Sequence, residues 1–182
     1  MRAFLALPLP ETTLAALVAA QDLIPVGRPV PEDNLHLTIA FLGEVSDAVL
    51  AELDDLLSAT PLPTAQVDFD GLGTFGDMER GLVFAQVLPD AGLSALHAKV
   101  AQVARMAGAD LPRRRFRPHV TLSRANRQPT GPARDRLAAA LGKRVEIPGF
   151  AATELVLFRS TLSSAGARHD PLAHYPLSPL AA

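Results

Sequence analysis

Two short segments of the same form constrain this chain more than anything else in it. Asn34-Leu35-His36-Leu37-Thr38-Ile39-Ala40-Phe41-Leu42 and Arg117-Pro118-His119-Val120-Thr121-Leu122-Ser123 both read His-x-Thr-x, with a large apolar residue at each x. Side chains alternate between the faces of a strand. Leu35, Leu37, Ile39 and Phe41 are therefore expected on one face of the first segment, with His36 and Thr38 on the other. In the second segment Val120 and Leu122 are expected inward, and Arg117, His119, Thr121 and Ser123 outward. Each strand gives the core an apolar face and presents an imidazole beside a hydroxyl.

Nearly half the chain separates the two histidines, so they are not a local metal-ligand pair. One His-x-Thr would be incidental about as often as not. Two copies with the same apolar flanks, in a chain with five histidines, are not. Two imidazoles with ordinary pKa values near 6.5 can serve as one base and one acid at neutral pH. A neighbouring hydroxyl donates to an anionic oxygen. That set suits attack on a phosphoryl group without a metal or other cofactor. Neither motif strand carries a carboxylate on its His face, where a metallohydrolase would want one.

With these motifs the chain resembles the two-histidine phosphoesterase superfamily, and within it the RNA 2′,3′-cyclic phosphodiesterases, historically called 2′-5′ RNA ligases. The resemblance runs from Met1-Arg2-Ala3-Phe4-Leu5-Ala6-Leu7 through Pro31-Glu32-Asp33-Asn34 and the first motif. It continues through Gly71-Leu72-Gly73-Thr74-Phe75, Phe116 and the second motif, then Leu157-Phe158-Arg159-Ser160 and Gly166-Ala167-Arg168. Phe158, where the family often has Tyr, and His174 depart from the pattern. The resemblance implies hydrolysis of a 2′,3′-cyclic phosphate at an RNA 3′ end to a 2′-phosphomonoester. It makes His36 the proton donor and His119 the proton acceptor, with Thr38 and Thr121 on the non-bridging oxygens. It implies one bilobal domain over residues 1–182, an α+β fold with two mainly antiparallel sheets flanking a central cleft and helices outside. The lobe boundary is expected near 60–64, where Pro61 and Pro63 fall, with the C-terminal strand returning to the first lobe. The motifs do not separate this reaction from related phosphodiester hydrolysis of 2′-5′ linked or cyclic nucleotides; the intact His and Thr at both motifs weigh against the other alternative, RNA binding with little turnover.

The net charge of −2 gives no global attraction to nucleic acid, but its distribution does. Residues 113–127 hold six arginines and no acid. Arg115 and Arg117 share parity with His119, which puts cations where a polyanion would lie. With Arg124 they are the expected substrate-binding arginines, and RNA 3′ ends the expected partner of a monomer. The absence of cysteine excludes disulfides and zinc-thiolate sites. No apolar run approaches the ~20 residues that span a bilayer, and Pro8, Pro10 and Glu11 interrupt the start. No signal peptide is expected, and a cytoplasmic setting is the default.

Elsewhere, residues 2–7 read as a buried strand, and Pro10 opens a helix with Leu14, Leu17, Val18 and Ile24 on one face. Helices are expected over about 46–58, 91–107 and 130–142. Strands are expected at 65–75, 81–88, near 115–124 for the second motif, 144–150 and 153–160, with a last one in 165–178. Gly71-Leu72-Gly73-Thr74-Phe75-Gly76 matches G-x-G-x-x-G, but a dinucleotide site needs a helix starting there. The sequence that follows is turn-like over Asp77–Gly81 and then strand-like, so the glycines read as a hairpin bend or bulge. His97 reads as a surface or boundary residue of its helix.

Overall fold

The computed structural model describes residues 1–75, 81–112, 115–164 and 166–179. It is an α+β fold. Its strands in chain order are β1 (Arg2–Leu7), β2 (Arg28–Pro29), β3 (Leu37–Glu44), β4 (Leu62–Pro63), β5 (Ala65–Val67), β6 (Phe69–Thr74), β7 (Leu82–Val87), β8 (His119–Arg124), β9 (Phe150–Ala152), β10 (Glu154–Ser163) and β11 (Gly166–Ser178). The helices are α1 (Glu11–Gln21), α2 (Asp47–Ala59), α3 (Ala91–Met106) and α4 (Pro132–Leu141). No helix among the described residues is long and apolar enough to cross a membrane.

The sheet runs β4-β11-β10-β1-β3-β8-β7-β6, with β2 added to β8, while β5 and β9 pair separately. All ladders are antiparallel except β11 with β4. One antiparallel group, β11-β10-β1-β3, meets the other, β8-β7-β6, at a single rung, Leu37 opposite Val120. Strand β1 lies between β3 and β10, and Ala3 to Leu7 are all buried, which suits a short unbroken apolar run.

The helices interlock the two groups. Helix α3 follows β7 yet packs on β3, and α1 follows β1 yet packs on β8. Helix α2 starts at Ser46, whose hydroxyl accepts the Val49 amide at 3.3 Å, and buries Leu50, Leu53 and Leu57. Helix α3 starts at Asp90, whose carboxylate accepts the Leu93 amide at 2.7 Å, and buries Leu93, Leu96, Val100 and Val103. Such caps satisfy amides that a helix end leaves open.

Simple alternation fails at the same place in both motif strands. Leu5 pairs with Ala40 and Ala6 with Thr38, so Ile39 is an extra residue in β3. Val83 pairs with Ser123 and Phe84 with Thr121, so Leu122 is an extra residue in β8. A bulge reverses the faces beyond it. Ala40 is therefore buried and Phe41 turns out to solvent at 44% exposure, beneath the Arg2 guanidinium at 4.9 Å. Ser123 is buried rather than outward, and its hydroxyl donates to the Val26 carbonyl at 2.7 Å.

The extra residues occupy the same motif position, directly after each Thr. Each carbonyl meets a side chain from the helix that has crossed over. His97 of α3 donates from Nδ1 to Ile39 O at 2.9 Å, and Gln21 of α1 donates from Nε2 to Leu122 O at 2.9 Å and Val30 O at 2.8 Å. The His97 ring also stacks flat on Phe116, at 4.1 Å, just ahead of the second motif. The boundary histidine is thus a bolt between both motif strands.

Three local expectations change. Helix α1 ends at Gln21, so Ile24 packs on the core from the following turn. The segment 144–149 is not a strand. Val145 and Ile147 alternate inward but meet no partner strand, Pro148 has no amide to donate, and only 150–152 pairs, with β5. The strand of the second motif starts at His119 rather than near 115, because Pro118 offers no ladder donor. The glycine stretch lies in β6, with Gly71 at φ +67° beside an irregular register between Phe69 and Leu72, as a bulge requires. Gly76 and the expected turn at 77–80 lie outside the described residues.

His97→Leu and Gln21→Leu each remove the side chain that meets a bulge carbonyl. Urea unfolding should show a loss of about 1–3 kcal/mol for either, the cost of a buried acceptor left open. An unchanged midpoint in both would mean the bulges do not depend on these helices.

Candidate active site

Both motif histidines are held by one device. His36 Nδ1 lies 2.8 Å from the carbonyl of Asn34, and His119 Nδ1 lies 2.7 Å from the carbonyl of Arg117, each two residues back. A carbonyl only accepts, so Nδ1 carries the hydrogen in both rings and the Nε2 lone pair is left for chemistry. Proline at 118 and the 3₁₀ turn Glu32–Asn34 shape the chain for these bonds. Asn34 is itself tied to the Ala167 carbonyl at 2.7 Å.

The Leu37–Val120 rung sets the pairs side by side. In an antiparallel register the flanking positions put His36 toward Thr121 and Thr38 toward His119 on one face. The two imidazoles are close enough that a charge on His119 opposes protonation of His36. Because Leu122 is extra, Arg124 shares the face of His119 and Thr121 instead of the opposite one. Its charge reaches three rings, His36, His119 and His169.

Aromatic rings wall the cluster. Phe4 stacks on His36 at 4.7 Å, and Phe158 stacks behind Phe4 at 5.2 Å. Phe75 meets His119 edge-on at 4.9 Å, and Phe84 lies 5.1 Å from it. Gly73 leaves room for Phe84, since a Cβ there would sit 2.9 Å from that ring.

Desolvation by these walls pushes His36 down to about 4; the Asn34 carbonyl opposes it, and His169, Arg124 and His119 add to it. His119 is lowered for the same main reason, with the charges of Arg124 and Arg117 adding to it. Both imidazoles are therefore neutral at pH 7 in the free protein. Partial desolvation also holds the Arg124 guanidinium below its ordinary value.

The sequence-based candidates divide. His36, Thr38, His119, Thr121 and Arg124 come together. Arg117 is exposed at the rim with its guanidinium 5.1 Å over Phe75. Arg115 is exposed, and no contact among the described residues joins it to the cluster; Arg113 and Arg114 lie outside them. His169 was missed. It stands edge-on to His36 at 5.3 Å and to Phe4 at 4.8 Å, and burial lowers its pKa. Its only sequence signal was its place after Gly166-Ala167-Arg168; the β10–β11 register that brings it in leaves no local mark. His174 instead pairs with Glu154 at 3.0 Å on the far part of β11. No group of three or more metal-ligating side chains occurs among the described residues. A cavity of about 1010 Å³ beside β6 and residues 141–148 holds none of the motif residues.

Stability should fall as pH drops from about 6.5 toward 4. The unfolded imidazole takes its proton near 6.5, while folded His36 resists until about 4, so the unfolded state binds more protons in that window. His36→Phe should flatten the dependence of Tm on pH between these values. An equally steep curve would place His36 outside the desolvated cluster.

The 2′-5′ RNA ligase superfamily model matches residues 18–163. An RNA 2′,3′-cyclic phosphodiesterase of Geobacillus stearothermophilus is 30% identical over 183 residues, covering 96% of this chain. The chain spans 56% of that relative's length. Another from Escherichia coli K12 is 31% identical over 156 residues, covering 84% of this chain and 81% of the relative. The crystal structure of TT0787 of Thermus thermophilus superposes with a TM-score of 0.80 at 27% identity, covering all of both chains. On the family match and on these relatives, the chain belongs to the 2′-5′ RNA ligase superfamily.

Proposed function

We propose that this protein, whose kinship supports a phosphoesterase function, is an RNA 2′,3′-cyclic phosphodiesterase that opens the terminal cyclic phosphate to a 2′-phosphomonoester. The observation that carries the reading is the matched pair of imidazoles. Each is fixed as an Nδ1 donor to a carbonyl two residues back, and both lie within the field of Arg124. The bilobal division near 60–64, with β11 returning to the first lobe, belongs to the same proposal.

His119 Nε2 takes a proton from water as its oxygen bonds to phosphorus. The bond from phosphorus to the ribose 3′-oxygen breaks, and His36 Nε2 delivers a proton to that oxygen. Thr38 and Thr121 donate hydrogen bonds to the non-bridging oxygens, and Arg124 balances their charge. Catalysis leaves His119 protonated and His36 neutral, and solvent resets both.

His36 cannot act as the acid in its resting state, since burial holds it near 4. The anionic phosphate supplies the missing charge. A negative charge beside the ring offsets Arg124 and favours the imidazolium. Substrate thereby arms its own acid, while the free protein stays neutral at both rings.

Incubation with a short RNA ending in 2′,3′-cyclic phosphate tests the proposal, with the product read by mass and phosphatase sensitivity. The expected product is the 2′-phosphomonoester, made equally well in EDTA. His36→Ala and His119→Ala should each lower turnover by at least ~10² with the far-ultraviolet spectrum unchanged. No hydrolysis by the wild type, or activity lost to chelator and restored by metal, would overturn it.

A further inference from the structure

Beside the imidazole cluster lies a second opening that shares only Arg124 with the groups assigned to catalysis. It is a cavity of about 410 Å³ whose lining includes Arg28, Arg124 and Arg127, with Gly27 and Asn126 between them and no acidic residue. Arg28 of β2 is the direct cross-strand partner of Arg124 of β8. Directly opposed residues share a face. The Leu122 bulge puts Arg124 on the face of His119 and Thr121, so Arg28 extends that same face by one strand.

Two arginines placed opposite each other repel. Among the described residues no carboxylate pairs with Arg28, Arg124 or Arg127. The arrangement is also fixed rather than incidental. Gly27 holds φ +80°, and a Cβ there would approach Ser123 Oγ at 2.6 Å and the Arg124 carbonyl at 2.8 Å. Only glycine lets the chain press so close to β8 and seat Arg28 against Arg124.

We propose that Arg28, Arg124 and Arg127 form a phosphate subsite that takes a backbone phosphodiester of single-stranded RNA whose 3′ end occupies the imidazole cluster. Arg124 is the shared wall: it faces the reacting phosphate on one side and the neighbouring one on the other. The subsite makes the protein prefer an oligomer to a cyclic mononucleotide, which has no second phosphate to offer. This rests on the phosphodiesterase reading for the identity of the 3′ end, but not for the binding of the chain itself.

Two arms test it on the full-length protein. In the first, fluorescence anisotropy follows a 3′-phosphorylated eight-nucleotide RNA, which cannot turn over, across a salt series. Removing both outer charges with Arg28→Gln and Arg127→Gln should make the slope of log affinity against log salt shallower by about 1.4, at roughly 0.7 per lost single-strand phosphate contact. Affinity at fixed salt should fall about tenfold per arginine, the size of one charge-assisted hydrogen bond. Arg28→Lys together with Arg127→Lys should restore the slope. In the second arm, the ratio of kcat/KM for a cyclic-phosphate oligomer to that for a 2′,3′-cyclic mononucleotide should fall by at least tenfold in the glutamine variant. A slope unchanged by the glutamines, or an unchanged ratio, overturns the subsite. If the wild type turns over neither substrate, the phosphodiesterase reading fails while the binding arm still decides the subsite.

Discussion

A single backbone rung, Leu37 against Val120, joins the two antiparallel groups of strands. Everything the site needs follows from where it falls. One residue to either side lie the two histidines and the two threonines, and the antiparallel direction crosses them, imidazole toward hydroxyl. A register slip of one residue would turn both sets into the core. The slip is opposed by burial of Leu37 and Val120, neither of which is exposed at all. It is opposed again by the bulges at Ile39 and Leu122, each met by a side chain from a helix belonging by sequence to the other group. Local pairing is minimal at the seam, and the crossed helices carry the alignment.

The electrostatics have the same economy. Desolvation by Phe4, Phe158, Phe75 and Phe84 lowers both imidazoles, and one guanidinium lowers them further. In the free protein that is a cost, a cation beside groups that would otherwise accept protons. In the proposed reaction an anionic phosphate offsets that field: drawn to Arg124, it stabilises an imidazolium at His36. Two like residues in like settings would then take unlike roles because the proposed substrate is asymmetric, with water on one side of phosphorus and the 3′-oxygen on the other.

Much of this was legible in the sequence where periodicity and chemistry agreed. The repeated His-x-Thr, the apolar run of β1, and the helices expected near 46–58 and 91–107 all appear in the structure as read. Strict alternation misplaced Phe41 and Ser123, because a bulge inserts one residue without changing composition. The same bulge brought Arg124 to the site, where parity alone would have sent it away. His169 was invisible for a different reason: it reaches His36 through sheet pairings across most of the chain length, while Phe4 reaches it through the β1–β3 pairing. His97 looked incidental because its partners, Ile39 O and Phe116, are a backbone atom and a ring far away in sequence.

The central claim is that the two imidazoles divide the labour, His36 as acid and His119 as base. It is tested most directly by a substrate whose ribose 3′-oxygen is replaced by sulfur. The thiolate leaves without a proton, so an enzyme lacking its acid should recover while one lacking its base should not. His36→Ala should regain much of the wild-type rate on the sulfur substrate, and His119→Ala should stay inactive. Rescue of His119→Ala with His36→Ala still inactive would contradict it and reverse the two roles.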